Sequence, residues 1–349
     1  MNKIKKMKIG EKWIGGSSPC FIIAEIGSNH NQNLSQGKKL IDAAYRAGVD
    51  AVKFQSFKVE NWMSREMKHF PTMKNNGRLE KTLKKCELTL DLYKKFQSYA
   101  EKLGLVCFSS PSHITDIDAL ERVNIPLYKF GSVQITDLPT IEYAASKNKP
   151  MILSTGASTI KEIKEAVDVI LSAGNKKIIL LHCTVSYPTD FGQVNLNAME
   201  TLMKEFNFLV GYSDHTLDPI IIPVAAVARG ARVYEKHITL SRKMSGPDHP
   251  FAIEPDELKI LVNSIRNTEA AFGRSVKKVL EGEKEIIRMG RRSVIAKIDI
   301  PRGMKIKAEM ITTKRPGYGI APKYYQKLIG SEAKKNIKQD QIMTWNMIK

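Results

Sequence analysis

The chain has no run of 18 or more apolar residues, so no membrane-spanning helix is expected. Its first eight residues are basic, but no apolar segment follows them. A secretory signal is therefore not expected, and a cytoplasmic location is. Cysteine is scarce: Cys20, Cys86, Cys107 and Cys183 form no CxxC pair, and three lie in apolar runs. Buried free thiols are expected rather than disulfides or a zinc site. Acidic residues are outnumbered, 36 against 55 Lys and Arg, giving a formal net charge of +19. Nucleic-acid binding is one meaning of that imbalance. The lysines, however, are scattered through helical segments, and no basic block is interleaved with aromatics. A lysine-rich solvated surface is the expectation, with a few strand-end lysines available to an anionic substrate.

What the chain does contain is a rhythm. Apolar strand-like runs occur at 20–27, 51–57, 105–111, 127–132, 150–156, 177–183, 208–215 and 232–239. Amphipathic helical runs lie between them, clearest at 34–47, 90–103, 160–173 and 219–229, and 255–272 follows the eighth strand. Strands alternating with helices imply parallel βαβ units. Eight such units predict an α/β chain with a (β/α)8 TIM barrel, whose active site lies at the C-terminal strand ends. An open doubly wound sheet is set aside, because no glycine-rich dinucleotide turn follows the first strand. Residues 8–18 read as a hairpin lid turning at Gly15-Gly16. The long 58–89 connection, with Pro71 and Asn75-Asn76-Gly77, is either a lid that sets selectivity or a tolerated insertion. Beyond Gly273 the pattern changes. The expected organisation is a barrel over 1–273, a charged linker over 274–292, and a small β-rich domain over 293–349.

Strand side chains alternate faces, so Lys53 and Gln55 share one, Ser213 and His215 another, and Glu235 and His237 a third. Glu25, Lys129 and Ser154 stand near other strand ends. If all point inward, the barrel mouth is a polar ring, and buried charge without partners is costly. Lys53 and Lys129 suit a phosphate or carboxylate, with Ser132, Ser154 and Ser213 as further donors; a lone lysine would instead pair with Glu25 or Glu235. The histidines end neighbouring strands about 4.8 Å apart and suit a shared divalent metal. His182 and His30 are weaker candidates, as a core and a loop residue. Asp248 in Gly246-Pro247-Asp248-His249 is either a turn residue or a contact to substrate or metal. Ser109-Ser110-Pro111 and Ser154-Thr155-Gly156 offer further hydroxyl and N–H donors.

Taken in order, these pieces resemble the sialic acid (nonulosonic acid) synthase family. The resemblance rests on Ala24-Glu25-Ile26-Gly27, Asn29-His30-Asn31, Ala51-Val52-Lys53-Phe54-Gln55, Tyr128-Lys129, Leu153-Ser154-Thr155-Gly156 and His182-Cys183-Thr184. It continues through Tyr187-Pro188-Thr189, Tyr212-Ser213-Asp214-His215, Glu235-Lys236-His237, Gly246-Pro247-Asp248-His249 and Glu254-Pro255. In the tail, Arg291-Arg292-Ser293 and Arg315-Pro316-Gly317-Tyr318-Gly319-Ile320 resemble its antifreeze-like (SAF) domain. The resemblance implies condensation of phosphoenolpyruvate with an N-acylated hexosamine, giving a nine-carbon 2-keto acid and phosphate. It implies that His215 and His237 bind a divalent metal, typically manganese, with magnesium or cobalt as alternatives. Lys53, Gln55, Lys129, Ser132, Ser154 and Ser213 would hold phosphoenolpyruvate, while Glu25, Tyr187 and Asp248 would face the sugar. Arg315 would reach the sugar's N-acyl group from the partner chain of a domain-swapped homodimer. Gln134 departs from the family, which usually carries a carboxylate there; it is expected to bind substrate but not to move protons. An N-acetylmannosamine-type sugar is expected, with legionaminic or pseudaminic acid synthesis as alternatives. A catalytically silent sugar-binding relative is the non-enzymatic alternative, and neither nucleic acid nor membrane is an expected partner.

Overall fold

The computed structural model describes residues 6–64, 66–67 and 76–349, without the side chains of 76–79. Two compact units make up the chain, Met1–Gly273 and Arg274–Lys349. In the first, β1 (Lys6–Ile9) and β2 (Lys12–Gly15) form an antiparallel hairpin. Eight parallel strands then close into a barrel: β3 (Phe21–Gly27), β4 (Ala51–Ser56), β5 (Val106–Pro111), β6 (Tyr128–Phe130), β7 (Met151–Ser154), β8 (Ile178–Cys183), β9 (Leu209–Asp214) and β10 (Val233–His237). Pairing of β10 with β3 completes the circle. The expected TIM barrel is the observed fold. Its strands read as apolar runs because helices cover the outer face and packed side chains fill the inner one.

Local chemistry explains where the helices begin. Asn33 accepts from the Gln36 N–H ahead of Leu34–Ala47. Thr159 and Glu162 form a reciprocal capping box ahead of Ile160–Ser172. Pro255 occupies the first turn of Pro255–Phe272, where its missing N–H costs nothing.

The hairpin differs from its expected form. Ile9 pairs with Lys12, so the turn is Gly10-Glu11, while Gly15 pairs back to Lys6. This register buries Ile9 and Ile14 together in the main core. The hairpin lies at the N-terminal strand ends, where Lys12 reaches Asp50 at 3.0 Å; it is a floor, remote from the mouth. In the long connection, Val59–Trp62 and Asn76–Lys84 are helical. Its far end is anchored by Gln32 Nε2, which donates to the Lys84 and Glu87 carbonyls. Pro71 and Asn75 lie outside the described residues.

The Arg274–Lys349 unit has its own core, including Val294, Ile300, Ile306, Ile311, Leu328 and Ile337. Its β11 (Ser293–Ala296) and β12 (Ile311–Lys314) pair antiparallel. The helix Lys284–Gly290 is tied in by a Gly317 N–H to Arg288 carbonyl bond of 2.7 Å. Among the described residues, no helix is long and apolar enough to cross a membrane.

One seam positions the site. A Cβ at Gly211 on β9 would stand 2.2 Å from the Val233 carbonyl oxygen on β10, so the two strands approach this closely only over a glycine. Gly211→Ala should push the strands apart at a cost of about 2 kcal/mol, lowering the barrel's calorimetric midpoint by about 4–8 °C. An unchanged midpoint would show that the seam yields freely.

Candidate active site

Four charged side chains meet inside the mouth of the barrel, all nearly inaccessible to solvent. Lys53 Nζ lies 2.9 Å from Glu25 Oε2 and 3.6 Å from Glu235 Oε2. Lys129 Nζ lies 3.5 Å from Glu235 Oε1. Hydroxyls and one amide complete the ring. Ser154 Oγ accepts from Lys129 at 2.7 Å, Ser213 Oγ donates to Glu235 Oε1 at 3.0 Å, and Gln55 Nε2 donates to Glu25 Oε1 at 3.0 Å. Neither Glu25 Oε2 nor Glu235 Oε2 receives an aligned hydrogen bond. Both oxygens meet Lys53 as ion pairs. Gly27, at φ +53°, allows this crowding: a Cβ there would stand 2.8 Å from Asp248 Oδ2 and 3.1 Å from Glu25 Oε1.

The electrostatics are uneven. Burial pushes Glu25 up to about 7, with Lys53 opposing and Glu235 adding to the rise. Burial would also raise Glu235, but Lys129, Lys53 and the Ser213 hydroxyl outweigh it and hold that carboxyl below its ordinary value. Lys53 is pulled down by burial yet ends above the usual lysine value, because Glu235 and Glu25 face it. Lys129 is left below it by burial, which Glu235 only partly offsets. Glu25 is therefore the carboxyl suited to exchanging a proton near neutrality.

One residue pair above Glu235 and Ser213 stand His237 and His215, their ring centroids 5.5 Å apart. His215 Nδ1 lies 2.8 Å from the Thr184 carbonyl. Only an N–H can bond a carbonyl, so the proton sits on Nδ1 and Nε2 keeps its lone pair. His237 Nδ1 is buried with no hydrogen-bond partner, and Asp248 Oδ2 is 3.9 Å away. Burial, first among the causes, keeps both imidazoles below the ordinary histidine value and so neutral. Two neutral imidazoles, one with an orphaned nitrogen, fit a divalent cation whose other positions go to water or substrate. Among the described residues, no group of three or more His, Cys, Asp or Glu converges on one point. Tyr187 lies over His215 at 4.2 Å between centroids, and Phe251 stands 5.0 Å from His237, giving this pair an aromatic wall.

These groups line one cleft of about 240 Å³, a little smaller than the usual small-molecule site. Lys53, Gln55, Lys129, Ser132, Gln134, Ser154, Tyr187, Ser213, His215 and His237 all border it. Glu25 lies beneath, against Lys53, and Asp248 lies beside His237 and 3.4 Å from Ser28 Oγ. Arg315 belongs to the other unit, exposed just past β12. Gln134 borders the cleft with both ends of its amide engaged by backbone: Nε2 donates to the Pro111 carbonyl and Oε1 accepts from the Gly131 N–H, each at 2.8 Å. Ser132 Oγ accepts from the Gly156 N–H at 3.0 Å. Ser110 faces the cleft, whereas Ser109 points outward and bonds Ser56 at 2.7 Å. His182 and His30 also point away, His182 toward the Val194 carbonyl at 2.9 Å and His30 into Phe54 and Phe96. Ser110 is a donor that the sequence already offered; Cys183, which also borders the cleft, could have been found from alternation alone, whereas Phe251 and Trp62 carried no pattern that marked them.

The chain as a whole is similar to known proteins. A model of the NeuB family matches residues 40–277, and one of the SAF domain matches residues 291–349. The chain is 42% identical over 329 residues to an N,N'-diacetyllegionaminic acid synthase of Campylobacter jejuni, covering 93% of this chain and 98% of the relative. It is 35% identical over 334 residues to the N-acetylneuraminate-9-phosphate synthase of Homo sapiens, covering 94% and 92%. The crystal structure of an N-acetylneuraminic acid (sialic acid) synthetase from Leptospira borgpetersenii, in complex with citrate, superposes with a TM-score of 0.72 at 32% identity. That match covers 81% of this chain and 95% of the other. The extent of these matches shows that the chain belongs to the NeuB family and ends in a SAF domain.

Proposed function

We propose that the protein is a nonulosonic acid synthase, condensing phosphoenolpyruvate, an N-acylated amino-sugar aldehyde and water to a nine-carbon 2-keto acid and phosphate. The observation that carries the reading is the pair of buried lysines, ringed by hydroxyls and set one layer beneath two neutral histidines. Lys53 and Lys129 would receive the phosphate and carboxylate of phosphoenolpyruvate, with Ser154 and Ser213 donating beside them. Carbon three of phosphoenolpyruvate then forms a bond to the aldehyde carbon, whose oxygen takes a proton to become a hydroxyl. Water adds to the cationic carbon two left behind, and cleavage of the C–O bond releases phosphate. Throughout, the lysines face the phosphate charge. Glu25, with its pKa about 7, is the group beside the cleft able to take the water's proton. His215 and His237 would hold manganese or a similar ion, which when bound would polarise the sugar aldehyde.

The higher identity to the legionaminic acid synthase than to the human enzyme supports a diacetamido-trideoxyhexose as the sugar. N-acetylmannosamine is the competing substrate. Phosphoenolpyruvate is a cytoplasmic metabolite, so the reading is of a cytoplasmic enzyme. It extends to a domain-swapped homodimer in which the partner chain's Arg315 meets the N-acyl group. The exposed apolar side chains Ile286 and Met289 on the helix before β11 support a further packing partner for that unit.

A sugar panel with phosphoenolpyruvate and manganese, read by phosphate release and product mass, tests the proposal. No release with either N-acetylmannosamine or a diacetamido-trideoxyhexose would overturn it. Lys129→Met should weaken phosphoenolpyruvate binding at least about tenfold by calorimetry, since it removes a buried charge-assisted partner. Arg315→Ala should raise the sugar KM at least about tenfold while the phosphoenolpyruvate KM stays near that of the parent. Equal changes in both would contradict its role at the sugar.

A further inference from the structure

Behind the two histidines lies a second buried network on the outer face of the same strands. Asp214 and Lys236 are register partners in the β9–β10 ladder, and each directly precedes a histidine. Alternation sends His215 and His237 toward the cleft and Asp214 and Lys236 the other way. Both are 1% exposed. Lys236 Nζ donates to Asp214 Oδ2 at 2.5 Å and to the Thr216 carbonyl. Asp214 also accepts from Tyr234 Oη at 2.6 Å, from the Thr216 N–H at 2.9 Å and from Thr216 Oγ1 at 3.2 Å. Thr216 Oγ1 in turn accepts from the Asp218 N–H at 3.2 Å.

The connectivity has a direct geometric result. The residues on both sides of His215, Asp214 and Thr216, are bound to one ammonium, and that ammonium belongs to the residue before His237. Strand pairing alone would fix the Cα positions of β9 and β10. It would not fix the chain past Asp214, where β9 has ended. His215 lies in that stretch, and beyond the network it is held by its Nδ1 bond to Thr184, the 2.9 Å bond from the Thr189 N–H to its carbonyl, a 3.7 Å contact with Cys183 Sγ and the Tyr187 ring packed against it; none of these is a hydrogen bond to β10. An ion pair whose burial costs several kcal/mol gives little net stability over an apolar pair. Its placement, one residue from each imidazole, is what distinguishes it from a stabilising contact elsewhere on the barrel.

We propose that Lys236 and Asp214, with Thr216 and Tyr234, form a positioning device that sets the spacing of His215 and His237 for one divalent cation. The inference rests on the reading of those histidines as metal-binding. Neither Lys236 nor Asp214 touches the cleft; both act through the backbone of the ligands.

The test is manganese binding by the full-length protein, followed by electron paramagnetic resonance, with no substrate and no turnover. Lys236→Met should raise the manganese Kd by about 10–100-fold. Because it strands a buried carboxylate, it also lowers the stability of the fold, so Asp214→Asn/Lys236→Met provides the second variant. Removing both charges should return the thermal midpoint toward the parent's while the manganese Kd stays weak. Tyr234→Phe, which removes one hydrogen bond to Asp214, should give a smaller loss in the same direction. A folded variant lacking both charges that binds manganese as the parent does would overturn the inference, leaving the pair a structural contact only. If the parent binds manganese no better than His215→Ala/His237→Ala does, the metal reading itself fails and this inference falls with it.

Discussion

The site depends on a balance of four buried charges. Two ammonium groups kept dry at the bottom of a cleft would each cost several kcal/mol without partners. Glu25 and Glu235 supply those partners, so the resting cluster is neutral when both are ionised. The balance is nevertheless loose. Glu235 is firmly ionised and is held by Ser213 as well as by both lysines. Burial pushes Glu25 up to about 7, so it is the more readily protonated of the two. An anion arriving at Lys53 therefore displaces the weaker of two carboxylates, and proton uptake by Glu25 can compensate the added charge. The same four groups thus balance one another and can admit an anion.

Much of this was legible in the chain. The eight strands are apolar on both faces, so they stand out against amphipathic helices, and eight repeats leave little choice but closure. Alternation then places Lys53 with Gln55, Ser213 with His215 and Glu235 with His237 on the inner face, as the barrel has them. The floor hairpin was misread for a reason of register. Gly15-Gly16 is the stronger local turn signal, but only a turn at Gly10-Glu11 buries Ile9 and Ile14 together. Phe251 carried no signal because its approach to His237 depends on how residues 238–254 cross the mouth. Asp214 and Lys236 were in plain sight beside the histidines, yet alternation made them look like spacers.

Gln134 shows how a residue can border a substrate cleft and still owe its identity to the backbone. Its amide donates to the carbonyl of Pro111, the last residue of β5, and accepts from the N–H just after β6, tying the two strand ends together. A carboxylate there has no proton to give Pro111 at neutral pH. It would have to face that carbonyl unpaired or swing into the cleft. The amide is thus consistent with a clasp between strand ends, and Ser132, two residues earlier, is seated by the same turn.

The closed base of the barrel has a kinetic meaning. With Ile9 and Ile14 packed into the core at one end, the cleft opens at the other. Both lysines reach Glu235, two residues below His237 on the same strand, so the anion seat lies beneath the histidines and their aromatic wall. A vessel with one opening is filled from the bottom. Under the proposed reaction, the three-carbon substrate must enter before the sugar, and a sugar already in place blocks the way behind it. Order of arrival is then a property of a barrel whose interior beneath the anion seat is filled by its own side chains.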